Sequence, residues 1–100
     1  MLFRSTKSTE NNALTIALEG RLDTTTAPEL ETELKAALPG IVSLTIDMSK
    51  LEYISSAGLR VLLSAQKVMN KQGSMVILNA NEDLMEIFEV TGFTDILTIR

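Results

Sequence analysis

The residues of this chain best placed to do chemistry are two adjacent serines, Ser55 and Ser56, followed by Ala57 and Gly58 at what reads as a helix start. A hydroxyl there has two uses. It can accept a hydrogen bond from a free backbone amide as an N-cap, worth about 1 kcal/mol, or it can accept a phosphoryl group. A phosphate brings roughly −1.5 to −2 charges to the positive end of a helix dipole, which tolerates them. The same charge facing outward repels an acidic partner patch and desolvates badly in an interface. Such a modification is neutral for the fold and decisive for binding. On these residues alone, cap and switch both stay open.

Other candidates have plainer readings. Asp23 is a loop carboxylate. Arg60 can pair with a nearby carboxylate or with a phosphate, and a surface pair contributes only about 0–1 kcal/mol. Glu82, Asp83, Glu86 and Glu89 read as the solvated face of a helix, and Met48, Met69, Met75 and Met85 as gap-filling core.

Catalysis is disfavoured. The sequence has no His and no Cys, so a Ser-His-Asp arrangement and a thiolate metal site are excluded. A serine without a neighbouring base is inert at neutral pH. Neither Lys50 nor Lys67 sits in a recognisable Ser-Lys motif, and no Gly-x-x-x-x-Gly-Lys loop is present for nucleotide phosphates. No enzyme activity and no cofactor or metal is expected.

The elements that must position these residues follow from composition and periodicity. The chain is 100 residues long, 45% apolar and 22% charged, which fits a single globular domain over residues 1–100 with an aliphatic core. Its formal net charge of −4 disfavours nucleic acid and anionic membrane surfaces, leaving proteins as the expected partners. Residues 1–7 lack the apolar run of a secretory signal and no stretch is long enough to span a bilayer, so a cytoplasmic location is expected.

Phe3 to Thr9 reads as a short edge strand, with Asn11-Asn12 as a turn. Residues 13–19 alternate with period two, Leu14, Ile16 and Leu18 facing the core. Gly20-Arg21-Leu22-Asp23 then leaves the sheet. Thr26-Ala27-Pro28-Glu29 reads as a capping box opening a helix with Ala27, Leu30, Leu34, Ala37 and Leu38 inward, stopped by Pro39-Gly40. A second strand alternates through Val42, Leu44, Ile46 and Met48, and a loop leads from it to the serines. Residues 59–69 form a largely buried helix ended by Gly73. Residues 74–79 form a central strand covered on both faces. Asn81 caps a third helix with Leu84, Ile87 and Phe88 inward and Gly92 past its end, and residues 96–99 add a last short strand. This order predicts an α/β sandwich: a mixed four- to five-stranded sheet with three or more helices packed on it.

The run Asp47-Met48-Ser49-Lys50-Leu51-Glu52-Tyr53-Ile54-Ser55-Ser56-Ala57-Gly58-Leu59-Arg60-Val61-Leu62-Leu63 resembles the signature of STAS-domain anti-sigma factor antagonists. Gly20-Arg21-Leu22-Asp23 matches that family's second motif, and the resemblance extends through Gly92-Phe93. It implies a cytoplasmic protein that, unphosphorylated, binds an anti-sigma factor serine kinase of the GHKL type and frees a sigma factor. Phosphorylation ends the binding, and a PP2C-like phosphatase restores it. The family's acceptor lies two residues before the motif glycine, which implies Ser56, with Ser55 as rival. Asp23, Ser55, Ser56, Ala57, Gly58 and Arg60 would form the partner-binding surface. Two departures stand out: Ser55 occupies a place where many members have Asp, and Ala57 one where many have Ser or Thr. The alternative is an unphosphorylated STAS adaptor subunit of a membrane lipid or anion transport complex.

Overall fold

The computed structural model describes residues 3–100. Strand β1 (Arg4–Glu10) turns back into β2 (Ala13–Leu22), followed by α1 (Ala27–Ala37), β3 (Ser43–Ile54), α2 (Ser56–Gln72), β4 (Ser74–Leu78) and α3 (Glu82–Thr91), with a 3-10 turn at Phe93–Asp95. The expected mixed sheet with three helices is present. Its four strands lie in the order β1-β2-β3-β4, β1 antiparallel to β2 and the other two pairings parallel.

Local chemistry explains the corners. Asn11 and Asn12 both take left-handed backbone, φ 49° and 67°, closing the β1–β2 hairpin as a short polar pair tolerates. Gly40, φ 83°, follows Pro39 after α1. Asn81 caps α3 by accepting from the Leu84 amide at 2.8 Å, and Gly92 ends it in the left-handed region. Gly73 ends α2 for a different reason. Its φ of 172° is extended backbone, but a Cβ there would lie 1.8 Å from the Val42 carbonyl oxygen.

The alternation of apolar residues makes one face of the sheet the core. Leu14 pairs with Leu44 and Leu44 with Met75; Ile16 pairs with Ile46 and Ile46 with Ile77. All are buried in one cluster with Leu30 and Leu34 of α1, Leu62 and Met69 of α2, and Leu84 and Phe88 of α3. The intervening residues, Thr15, Ala17, Thr45, Asp47 and Val76, lie exposed or half-buried on the other face. Met48, Met69 and Met75 are core, and Met85 packs against it.

Several expectations are corrected. Both central strands run further than their alternation suggested: β2 continues through Gly20 to Leu22, and β3 through the supposed loop to Ile54. Register shifts between Ala17 and Glu19 and between Gly20 and Arg21 interrupt the period-two pattern, which hid the continuation. Val42 is 52% exposed and precedes β3; its backbone bonds Asn12 and Ser74 instead. β4 is at the end of the sheet rather than central. Residues 96–99 supply a single bridge, Ile77 to Ile99, because Phe93–Leu97 is wound into a turn by the Ile96 and Leu97 amides donating to the Phe93 carbonyl. Helix α2 is buried along one face, with Val68 40% exposed on another.

Candidate functional site

The extensions of β2 and β3 decide where the serines stand. Leu22 and Ile54 are the paired last residues of the two strands, both buried, and the Ser55 amide donates to the Leu22 carbonyl at 2.8 Å. The two motifs, distant in sequence, are therefore joined by a backbone bond at the carboxyl ends of parallel strands, where open α/β sheets present their binding sites.

The chain turns from this point straight into α2. Ser55 is the N-cap, in extended backbone, and its hydroxyl accepts from the Gly58 amide at 3.4 Å, a long capping bond. Ser56 is the first residue of the helix and is exposed. Of the two hydroxyls, that of Ser55 is engaged in the cap and that of Ser56 is unbonded among the described residues. Gly58 is buried; a Cβ on it would lie 2.8 Å from both Ile54 Cγ1 and Leu22 Cγ. It lets the helix start sit directly on the strand ends. Ala57 is half-buried beside it, and Arg60 is exposed one turn along.

Asp23 is held beside this point by its own turn. One carboxylate oxygen accepts from the Thr25 hydroxyl at 2.7 Å, the Thr25 amide at 3.0 Å and the Thr26 amide at 3.2 Å. The Thr25 hydroxyl above all, then the Thr25 and Thr26 amides, hold the Asp23 carboxyl below its ordinary value against the opposing effect of desolvation. The capping box expected at Thr26 and Glu29 does not form. The Thr26 hydroxyl instead donates to the Arg21 carbonyl and accepts from the Asp23 amide, both at 2.8 Å, and Thr26 itself has helical backbone. The Glu29 amide donates to the Thr26 carbonyl at 3.1 Å instead, while the Asp23 carbonyl takes the Thr26 and Ala27 amides.

The structure brings Ala57 and Arg60 together with Thr24, Pro28 and Glu31 around an open cleft of about 310 Å³ between the starts of α1 and α2. Asp23 directs its carboxylate into its turn and toward Arg21, whose Nε is 3.9 Å from Asp23 Oδ2. Two residues escaped the reading of the sequence, Arg21 and Tyr53. The Arg21 guanidinium lies 4.3 Å from the centre of the Tyr53 ring, on strand positions that pair directly. Only the full length and register of β2 and β3 could have revealed the pair. Among the described residues no group of His, Cys, Asp or Glu could hold a metal ion, and no helix is long and apolar enough to cross a membrane.

Comparison with known proteins joins this geometry to a family. A family model described as "Mlab, STAS domain" matches residues 5–98. BtrV of Bordetella bronchiseptica, a candidate anti-sigma factor antagonist, is 38% identical over 88 residues, 86% of this chain and 76% of that protein. The anti-sigma-B factor antagonist of Listeria monocytogenes is 32% identical over 97 residues, 94% of this chain and 84% of its relative. The crystal structure of an anti-sigma factor antagonist from Mycobacterium paratuberculosis superposes with a TM-score of 0.89 at 20% identity, over 98% of this chain and 85% of that one.

Proposed function

Because this chain belongs to the STAS-domain family of anti-sigma factor antagonists, we propose that it is a partner switch controlled at Ser56. Unphosphorylated, it binds an anti-sigma factor that is also a serine kinase of the GHKL type, and the sigma factor is released. The kinase transfers a phosphoryl group from its own ATP to the Ser56 oxygen, which loses its proton, and the complex separates. A PP2C-like phosphatase resets the chain by hydrolysis. This chain contributes a hydroxyl and a docking surface, catalyses nothing itself, and works in the cytoplasm as one domain.

The observation that carries this reading is the division of labour between the serines: Ser55 caps α2, and Ser56 stands exposed and unengaged at its first position. A kinase can take up the Ser56 hydroxyl without uncapping the helix. Ser55, the rival acceptor, would have to give up its capping bond. Added charge at Ser56 faces outward, where it opposes docking rather than folding.

The test is phosphorylation by the cognate kinase with ATP. One phosphate should be gained and mapped to Ser56 by mass spectrometry; Ser56→Ala should lose it yet still bind, and Ser56→Asp should bind poorly. Normal labelling of Ser56→Ala would move the site to Ser55. The alternative is an unphosphorylated STAS adaptor subunit of a membrane lipid or anion transport complex, docking through the same helix start. A kinase or phosphatase gene beside this one supports the switch, and a transporter operon supports the adaptor.

A further inference from the structure

Arg60 lies four residues after Ser56 on α2, so the two side chains are neighbours on one helix face, with Cβ atoms about 5–6 Å apart. Both are exposed. The surrounding cations and anions are otherwise engaged. Arg21 stacks on Tyr53 and approaches Asp23, while Glu31, the carboxylate across the cleft from Arg60, pairs with Lys35 at 3.6 Å. Arg60 has no ion pair among the described residues. An anion placed at Ser56 would precede the cation by one turn, the favourable order for an i,i+4 pair. A guanidinium is also the side chain best matched to a phosphate's geometry. The first turn of α2 contains no acidic residue to compete.

We propose that Arg60 is the internal receptor of the Ser56 phosphate, so that phosphorylation withdraws an exposed arginine from the docking surface as well as adding a dianion to it. The inference rests on Ser56 being the modified residue and deepens that reading: the switch has two parts, a repulsive group added and a cation taken out of the partner's reach. Arginine is over-represented among the residues that dominate protein interfaces. Its capture would deprive the complex of one such anchor without any movement of the backbone.

The test separates the internal pair from the partner. Phosphoserine is placed at position 56 of the full chain during synthesis, and the second ionisation of the phosphate is followed by phosphorus NMR, with no kinase present. The midpoint should lie about 0.3 pH units lower in the parent than in Arg60→Gln, the size expected of an i,i+4 ion pair. Arg60→Lys should recover part of the shift, and Glu31→Gln should leave it unchanged. Equal midpoints in the parent and Arg60→Gln would overturn the pair, whatever the kinase does.

Binding to the anti-sigma kinase supplies the second readout. Arg60→Gln should weaken the unphosphorylated complex about tenfold, in the range of an interface arginine, and the phosphoserine form hardly at all. Equal fold-losses in both forms would show that the arginine is not withdrawn. A phosphate that pairs with Arg60 in a chain whose kinase binding ignores phosphorylation would preserve the pair and sink the switch, so the two failures are distinguishable.

Discussion

At the scale of single residues, neighbouring side chains of the same type do different work. Ser55→Ala should cost about 1 kcal/mol of stability or somewhat less through loss of the α2 cap, since the capping bond is long. Ser56→Ala should leave the urea midpoint almost unchanged, because its hydroxyl is unbonded among the described residues. Chemical denaturation of the two variants side by side checks this, and equal losses would contradict the assigned cap. The serine pair was legible in the sequence but its division of roles was not, because that depends on the extended backbone at Ser55. A second residue-level expectation concerns acid. Asp47 accepts from the Asn79 side-chain amide at 3.0 Å and the Ser49 amide at 2.9 Å, which together hold its carboxyl below the ordinary value. A depressed carboxyl in the folded state contributes stability above its unfolded pKa, about 4, and that contribution disappears as pH falls through the lower folded value. Asn79→Ala should therefore reduce the fall in melting temperature between neutral pH and about pH 3. An undiminished fall would show that the contact contributes nothing.

At the scale of elements, the glycines at the two ends of α2 should respond differently to alanine. Gly58→Ala places a methyl against Ile54 and Leu22 side chains, which can shift, and it gains helix propensity. We expect a loss of about 1–2 kcal/mol, the usual cost of mild overpacking. Gly73→Ala drives a methyl into the Val42 carbonyl, where only the backbone can give way, and should lose more than about 3 kcal/mol. Thermal melts of both variants rank them, and a milder Gly73→Ala would mean that the backbone at Val42 yields more readily than the Ile54 and Leu22 side chains. Within α2, Gln66 is buried, bonds Asn70 through its amide nitrogen, and leaves its oxygen without a partner among the described residues. Gln66→Met should match or exceed the parent in stability, since an unpaired buried acceptor costs about 1–3 kcal/mol. Helices were the elements most legible in the sequence, because their caps and apolar spacing are local signals: Asn81, Gly92 and the Leu30–Leu34 spacing all fall where expected. Strand ends were not. The register shifts in β2 and β3 broke the alternation at Glu19 and Lys50, and only tertiary pairing shows that Leu22 and Ile54 still belong to the sheet.

At the scale of the whole molecule, the core and the proposed switch occupy different places. The sandwich and its core were readable from the order of elements, and the motif stretch does lie at the carboxyl ends of β2 and β3; the Arg21–Tyr53 stack and the Asp23 turn depend on tertiary pairing that the sequence does not display. The phosphoserine form should melt within about 2 °C of the parent, since the modified position is exposed and outside the core. A larger drop would mean that modification acts by unfolding. The longer consequence comes from α2. Its 17 residues span about 25 Å, with Gly73 wedged against Val42 at one extremity and Ser56 at the other. Gln72 fastens the anchored extremity further through the Leu38 and Ile41 carbonyls. Under the proposed function, mutations that retune what docks at the tip have little reason to loosen the root. A scaffold divided in this way can be duplicated and its copies steered toward separate partners, with insulation between pathways built up a side chain at a time.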